Sequence, residues 1–169
     1  MILKKLNKNI IINLLIVFLI FLFDRFSKIY VIHLDKKLFG TELLSTNFLN
    51  IKLYWNQGIA FGLFSFEKSL LYNLLTVVIF IIILLIAFMS IKSFGIRKYA
   101  LLMIFGGAIG NLYDRIIFKA VPDFVDLHFG NFHWFIFNFA DVFISVGVFF
   151  MILYEFIGNN ESKREDEKN

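Results

Sequence analysis

Apolar residues run almost unbroken through four stretches, about 10–32, 70–91, 99–118 and 134–157, and most of the charged residues fall between or beyond them. About 20 consecutive apolar residues let an α-helix cross a bilayer, so each stretch predicts a spanning helix. Only the stretch from about 35 to 68 does not read as helix. There Phe48-Leu-Asn-Ile-Lys-Leu-Tyr-Trp55 alternates in part, as a half-buried strand does, and Asn56-Gln57-Gly58 reads as a turn. A small sheet on one membrane face is the expectation. From Gly158 the chain is charged and predicts a disordered tail, 158–169. No internal repeat or Pro-, Gly- or Ser-rich linker divides the rest, so residues 1–157 read as one polytopic membrane domain.

Composition sharpens this pattern. Of 169 residues, 59% are hydrophobic and 24 are Phe, which is far too apolar for a soluble domain of this size. The absence of cysteine excludes disulfides, thiolate metal sites and a Cys nucleophile. The first stretch follows Lys4, Lys5 and Lys8 and so resembles a secretory signal. Phe21-Leu-Phe-Asp24-Arg25 is no small-x-small cleavage site, however, and the stretch reads as an uncleaved anchor. Lys and Arg near span ends set orientation. Lys4, Lys5 and Lys8, then Lys92, Arg97 and Lys98, then Lys163, Arg164 and Lys168 share one side if there are four spans, so both termini are expected in the cytoplasm. Lys36, Lys37, Lys52 and Lys68 fall on the other side and blur the asymmetry.

The chemistry lies in carboxylates beside hydrocarbon, where charge is costly and functional by default. Asn111-Leu-Tyr-Asp114-Arg115 and Asn138-Phe-Ala-Asp141 each set an amide and a carboxylate three apart, on one face if both are helical. Asp123 and Asp126 sit in the loop between. Counting 1.5 Å per residue puts Asp24 roughly 12 Å and Asp141 roughly 10 Å below the outer surface. With Asp114 near the outer end of its span, all five carboxylates are expected in one outer-leaflet layer. Two carboxylates sharing a site hold one proton between them. That supplies a base to activate water and an acid for a leaving amine, with amides such as Asn111 and Asn138 to orient them. Plainer readings stand beside this one. Asp24 and Lys28 are spaced i,i+4 and read first as an intramembrane ion pair. Asp114 with Arg115 fits a structural charge network as well as a site, and a loop aspartate such as Asp123 is common. Gly106 and Gly110 read as a small-xxx-small packing face. His33, His128 and His133 show no metal-ligand spacing, so no metal or cofactor is expected.

With these residues in view, the chain resembles the lipoprotein signal peptidases, or signal peptidase II. Asp24-Arg-Phe-Ser-Lys28 resembles the family's Asp-Gln-x-Ser/Thr-Lys, and Asn56-Gln-Gly58-Ile-Ala60-Phe61 its Asn-x-Gly-x-Ala-Phe. Gly106-Gly-Ala-Ile-Gly110-Asn111-Leu-Tyr-Asp114-Arg115 matches Gly-Gly-Ala-x-Gly-Asn-x-x-Asp-Arg, Val121-Pro-Asp123-Phe resembles Val-Val-Asp-Phe, and Phe137-Asn138-Phe-Ala140-Asp141 resembles Phe-Asn-x-Ala-Asp. The five phrases occur in order from Asp24 to Asp141. The resemblance implies an α-helical membrane protein of four transmembrane helices with a small extracytoplasmic β-cradle. It implies a cofactor-free aspartic endopeptidase, sensitive to globomycin, with Asp123 and Asp141 as the dyad. Asn56, Asn111, Asp114, Arg115 and Asn138 would line or support the site. The implied partners are membrane lipids and prolipoproteins whose Cys carries a diacylglyceryl group, cut on the amino side of that Cys. A monomer in the bacterial inner membrane, with its site at the outer leaflet and no nucleic-acid partner, is the expectation. Trp55, Arg25 and Pro122 depart from the family's usual Arg, Gln and Val. The runner-up is a small transporter or proton-coupled carrier. It needs polar groups through the membrane, and segment two carries no carboxylate or cation before its cytoplasmic end. A non-catalytic scaffold would leave the paired Asn and Asp residues unexplained.

Overall fold

A helix persists where nothing in the sequence stops it, and residues 2–37 contain neither Gly nor Pro. In the computed structural model they form one helix, α1 (Ile2–Lys37). It ends where Phe39 and Gly40 turn left-handed, and the Gly40 amide donates back to the Asp35 carbonyl. The structure describes residues 2–58, 69–130 and 132–166, with side chains within 9–58, 70–130 and 132–157. Ala60 and Phe61 of the second family phrase, Lys68 and Lys168 lie outside the described residues, as do the side chains of Lys4, Lys5, Lys8, Lys163 and Arg164.

After α1 come β1 (Leu44–Ser45), β2 (Leu49–Asn56), α2 (Ser69–Lys92), α3 (Gly95–Phe118), β3 (Val121–Phe129), β4 (Phe132–Phe137) and α4 (Phe139–Asp166). All four helices are long and apolar enough to cross a membrane. The strands form one antiparallel sheet in the order β1-β2-β3-β4. Helix α3 is the centre of the bundle. Half of its spanning window is buried, against 11–17% for the other three, and it packs on α1, α2 and α4. Close approach depends on missing side chains. A Cβ on Gly107 would lie 2.5 Å from the Ala140 carbonyl oxygen, and one on Gly106 would lie 3.0 Å from Ile20.

Two boundaries differ from the sequence reading. Residues 134–137 belong to β4, not to the fourth span. The run Phe-His-Trp-Phe-Ile-Phe is apolar and aromatic, and so short a run is ambiguous between strand and helix until its partner is known. The backbone of α4 also continues as helix to Asp166, across most of the segment expected to lack structure. Only half of the sheet comes from the stretch 35–68. The other half, β3 and β4, comes from the loop ahead of α4.

One irregularity in this sheet decides which side chains reach the site. Ile51 pairs with Val125 and Tyr54 with Asp123, so Lys52 and Leu53 together oppose Phe124. Such a bulge shifts the side-chain alternation by one residue. It puts Asn56 on the face of β2 that matches Asp123 on β3, and sends Trp55 to the other face. Pro122 pairs with Trp55. The neighbouring strand β4 ends at Phe137 opposite Val125, so among the described residues no strand flanks Pro122 on its second side and its missing N–H costs no ladder bond there.

Candidate active site

Asp123 and Asp141 line one cleft of ≈ 490 Å³, together with Asn56, Asn111, Arg115 and apolar groups of α2, α3 and α4. Asp123 comes from β3 and Asp141 from the first turn of α4. The short loop Asn138 joins them. Its Nδ2 donates to Asp123 Oδ1 at 2.6 Å, and its Oδ1 accepts from the Asp141 amide at 3.2 Å. The Asn138 amide in turn donates to Asp141 Oδ2 at 3.1 Å. This reciprocal pair is a capping box that starts α4. Asn138 therefore precedes the helix and does not share a helical face with Asp141. Asp141 also lies in the opening turn of its helix, not seven residues into it as the sequence spacing predicts.

The other carboxylate oxygens are held just as specifically. Asn56 Nδ2 donates to Asp123 Oδ2 at 2.9 Å, and Asn111 Nδ2 donates to Asp141 Oδ1 at 2.8 Å. Asn56 Oδ1 accepts from the Gly58 amide, the Gly58 carbonyl accepts from Arg115 Nη2 at 3.1 Å, and Arg115 Nη1 donates to the Asn111 carbonyl. The two carboxylates thus belong to one closed circuit of hydrogen bonds drawn from β2, α3, β3 and the cap of α4. Asp123 is 3% exposed. Burial, and then the charge of Asp141, push its carboxyl up to about 6, although Asn56, Asn138 and Lys28 pull the other way.

Behind the cleft lies a second cluster. Arg25 makes a bidentate pair with Asp114, its Nη1 on one oxygen and its Nη2 on the other at 2.7 Å, and Nη2 also reaches Asp24 at 2.6 Å. Lys28 Nζ binds Asp24 at 2.9 Å, Asp114 at 2.7 Å and Asn111 Oδ1 at 2.8 Å. The last contact fixes which way the Asn111 amide points, and so which of its atoms faces Asp141. Asp24 Oδ1 also accepts from the Ala140 amide at 3.2 Å, one residue before Asp141. Gly110 gives this carboxylate room, since a Cβ there would lie 2.5 Å from Asp24 Oδ2. Gly110 therefore makes space for the ion cluster, while Gly106 packs on Ile20.

The five carboxylates do not form one group. Asp24 and Asp114 join the ion cluster, Asp123 and Asp141 share the cleft, and Asp126 pairs with His133 Nδ1 at 2.8 Å. Strand alternation accounts for Asp126, which is three residues from Asp123 and on the opposite face. Arg25 went unassigned in the sequence reading, which treated it only as a replaced Gln. Its place in the first span was the available signal, since a cation beside Asp24 and three residues before Lys28 in an apolar helix needs a counter-charge of its own. Among the described residues, no group of three or more His, Cys, Asp or Glu is arranged to hold a metal ion.

Known proteins resemble this chain in sequence and fold. A family model described as Signal peptidase (SPase) II matches residues 16–157. The lipoprotein signal peptidase of Pelagibacter ubique is 50% identical over 167 residues, 98% of this chain and 99% of that protein. That of Aquifex aeolicus is 40% identical over 139 residues, 81% of each chain. Two solved structures of a bacterial membrane enzyme, obtained by the in meso method at 2.3 and 1.9 Å resolution, both superpose with a TM-score of 0.68. The first is 26% identical and covers 88% of this chain and 90% of its own. The second is 28% identical and covers 84% and 90%. With nearly its whole length matched at this identity, the chain belongs to the signal peptidase II family, the lipoprotein signal peptidases.

Proposed function

We propose that this protein is the membrane aspartic endopeptidase that removes the signal peptide from diacylglyceryl-modified prolipoproteins, cutting on the amino side of the lipidated Cys, with Asp123 and Asp141 as its catalytic pair. The observation that carries the reading is a single residue, Asn138, whose side-chain Nδ2 donates to the Asp123 carboxylate and whose backbone N–H donates to the Asp141 carboxylate at the wall of one cleft. Asp141 takes a proton from water as its oxygen attacks the scissile carbonyl carbon. We assign Asp123, whose carboxyl burial pushes up to about 6, as the partner that gives its proton to the leaving nitrogen of the Cys as the C–N bond breaks. Asn56, Asn111 and Asn138 hold the two carboxylates in place. Asp114 and Arg115 support them from α3, with Asp24 and Lys28 behind. No cofactor enters these steps.

The protein is a multi-pass protein of the bacterial inner membrane. Its termini lie in the cytoplasm and its cleft at the outer leaflet, a placement supported by the basic loop of Lys92, Arg97 and Lys98 at the opposite end of α2 and α3 from the cleft. An outer-leaflet site suits a substrate whose lipid and signal helix both sit in the membrane. A monomer is part of the proposal, supported by a circuit around both carboxylates that is complete within one chain. A transporter needs polar groups spaced through the bilayer, and α2 carries neither carboxylate nor cation before Lys92. Purified protein in detergent should cleave a diacylglyceryl-modified prolipoprotein and leave the unmodified form intact. Equal cleavage of both would remove lipid recognition from the proposal, and cleavage of neither would sink it.

A further inference from the structure

We infer that Trp55, Phe118 and Pro122 form a brace on the back of the sheet that holds Asp123 in place, which makes Trp55 a positioning residue for the reaction. The inference rests on the assignment of Asp123 proposed above. Trp55 and Pro122 are direct cross-strand partners, so they share a sheet face, and it is the face opposite Asp123 and Asn56. Opposed side chains on one face of an antiparallel pair lie within contact distance. Pro122 is less than 2% exposed, whereas Trp55 is 47% and Phe118 45% exposed. The proline is covered and the aromatic rings lie outermost. The Trp55 ring lies 5.6 Å from that of Phe118 at 60°.

Phe118 is the last residue of α3, and only Lys119 and Ala120 separate it from β3. Lys119 is left-handed, at φ 56°, a conformation that side chains other than Gly avoid. A link of this kind does not set the angle of β3 on α3 by itself. Trp55 supplies the missing constraint by touching the end of α3 and the start of β3 from β2. Pro122 passes it on, since its ring locks φ immediately before Asp123. The amides of Asn56 and Asn138 hold the carboxylate from the front. The brace holds its backbone from behind. Trp55 does not line the cleft, so its effect must travel through Asp123.

The test uses the full-length protein in detergent with the lipidated prolipoprotein, and amide hydrogen exchange in parallel. Trp55→Ala should lower kcat by about 10–10²-fold with little change in KM, the scale expected for small misplacement of a reacting group. It should also speed exchange of the amides from Lys119 to Val125. Trp55→Phe should restore most of both. Trp55→Ala/Pro122→Val should be no slower than Trp55→Ala alone, because the two residues act through one path. If Trp55→Ala does not accumulate, Trp55→Leu takes its place. A raised KM with kcat unchanged would mean that Trp55 touches substrate and would overturn the brace. So would unchanged exchange, or multiplied losses in the double variant. Failure of the dyad assignment looks different: Asp123→Asn would still cleave, while exchange would still respond at position 55.

Discussion

Asp123 and Asp141 have different surroundings, yet each is fixed by asparagine amides, and Asn138 touches both. A pair that shares a proton fails as a unit. Asp123→Asn and Asp141→Asn should each abolish cleavage while the protein still accumulates in the membrane. The double variant should be about as inactive as either single. Initial rates of the three decide it, and losses that multiply would mean that the two groups act separately. The amides also tune the pair. Asn56 donates to the ionised form of Asp123 and so lowers its pKa from where burial would set it. Asn56→Ala removes that donor and raises the pKa. The acid then keeps its proton to higher pH, and the alkaline limb of kcat/KM should move up. That limb belongs to the pair and not to one residue. A limb that stays, or moves down, would show that Asn56 does not act on the acid. Much of this was legible in the sequence, because Asn56, Asn111, Asp123, Asn138 and Asp141 stand in recognisable phrases. The bond from Lys28 to Asn111 was not, since it spans 83 residues and two helices.

At the scale of elements, the four spans could be read directly because nothing else buries 20 apolar residues in a row. The sheet was half visible. Phe48 to Trp55 shows a broken alternation, and the break is the bulge at Lys52 and Leu53. A bulge is a relation between two strands, and the phase of one strand shows only that something is irregular. β4 was hidden for another reason, its aromatic run being continuous in sequence with the apolar helix behind it. The register of β2 can be tested by deletion. Deleting Leu53 removes the extra residue and leaves a regular strand with Tyr54 still opposite Asp123 and Asn56 still on its face, so activity should stay within a few-fold of normal. Deleting Lys52 and Leu53 together lets residues 54–56 keep their partners or their facing but not both, and activity should fall at least as far as in Asn56→Ala. Full activity in the double deletion would mean that Asn56 reaches Asp123 whatever the register of β2.

At the scale of the whole molecule, one helix organises the rest. α3 brings Asn111 and Arg115 to the cleft and Asp114 to the ion cluster, while α1, α2 and α4 present broad apolar surface to the lipid. The proposed orientation rests on the positive loop between α2 and α3, and single-Cys labelling can check it on a chain that has no native Cys. Phe129→Cys, at the 82% exposed tip of β3, should react with an impermeant reagent from outside. Reaction only from the cytoplasmic side would invert the topology. The ion cluster that α3 completes bears on how the chain is made. Arg25 and Asp114 are 89 residues apart, so at about 5–20 residues per second the first helix emerges roughly 5–20 s before its counter-charge exists. During that interval α1 carries Asp24, Arg25 and Lys28 with one cation in excess and no protein partner for it. α1 should therefore sit less securely in the bilayer until α3 arrives, and a nascent chain that stops after α2 should be extracted from the membrane more readily than one that reaches Arg115.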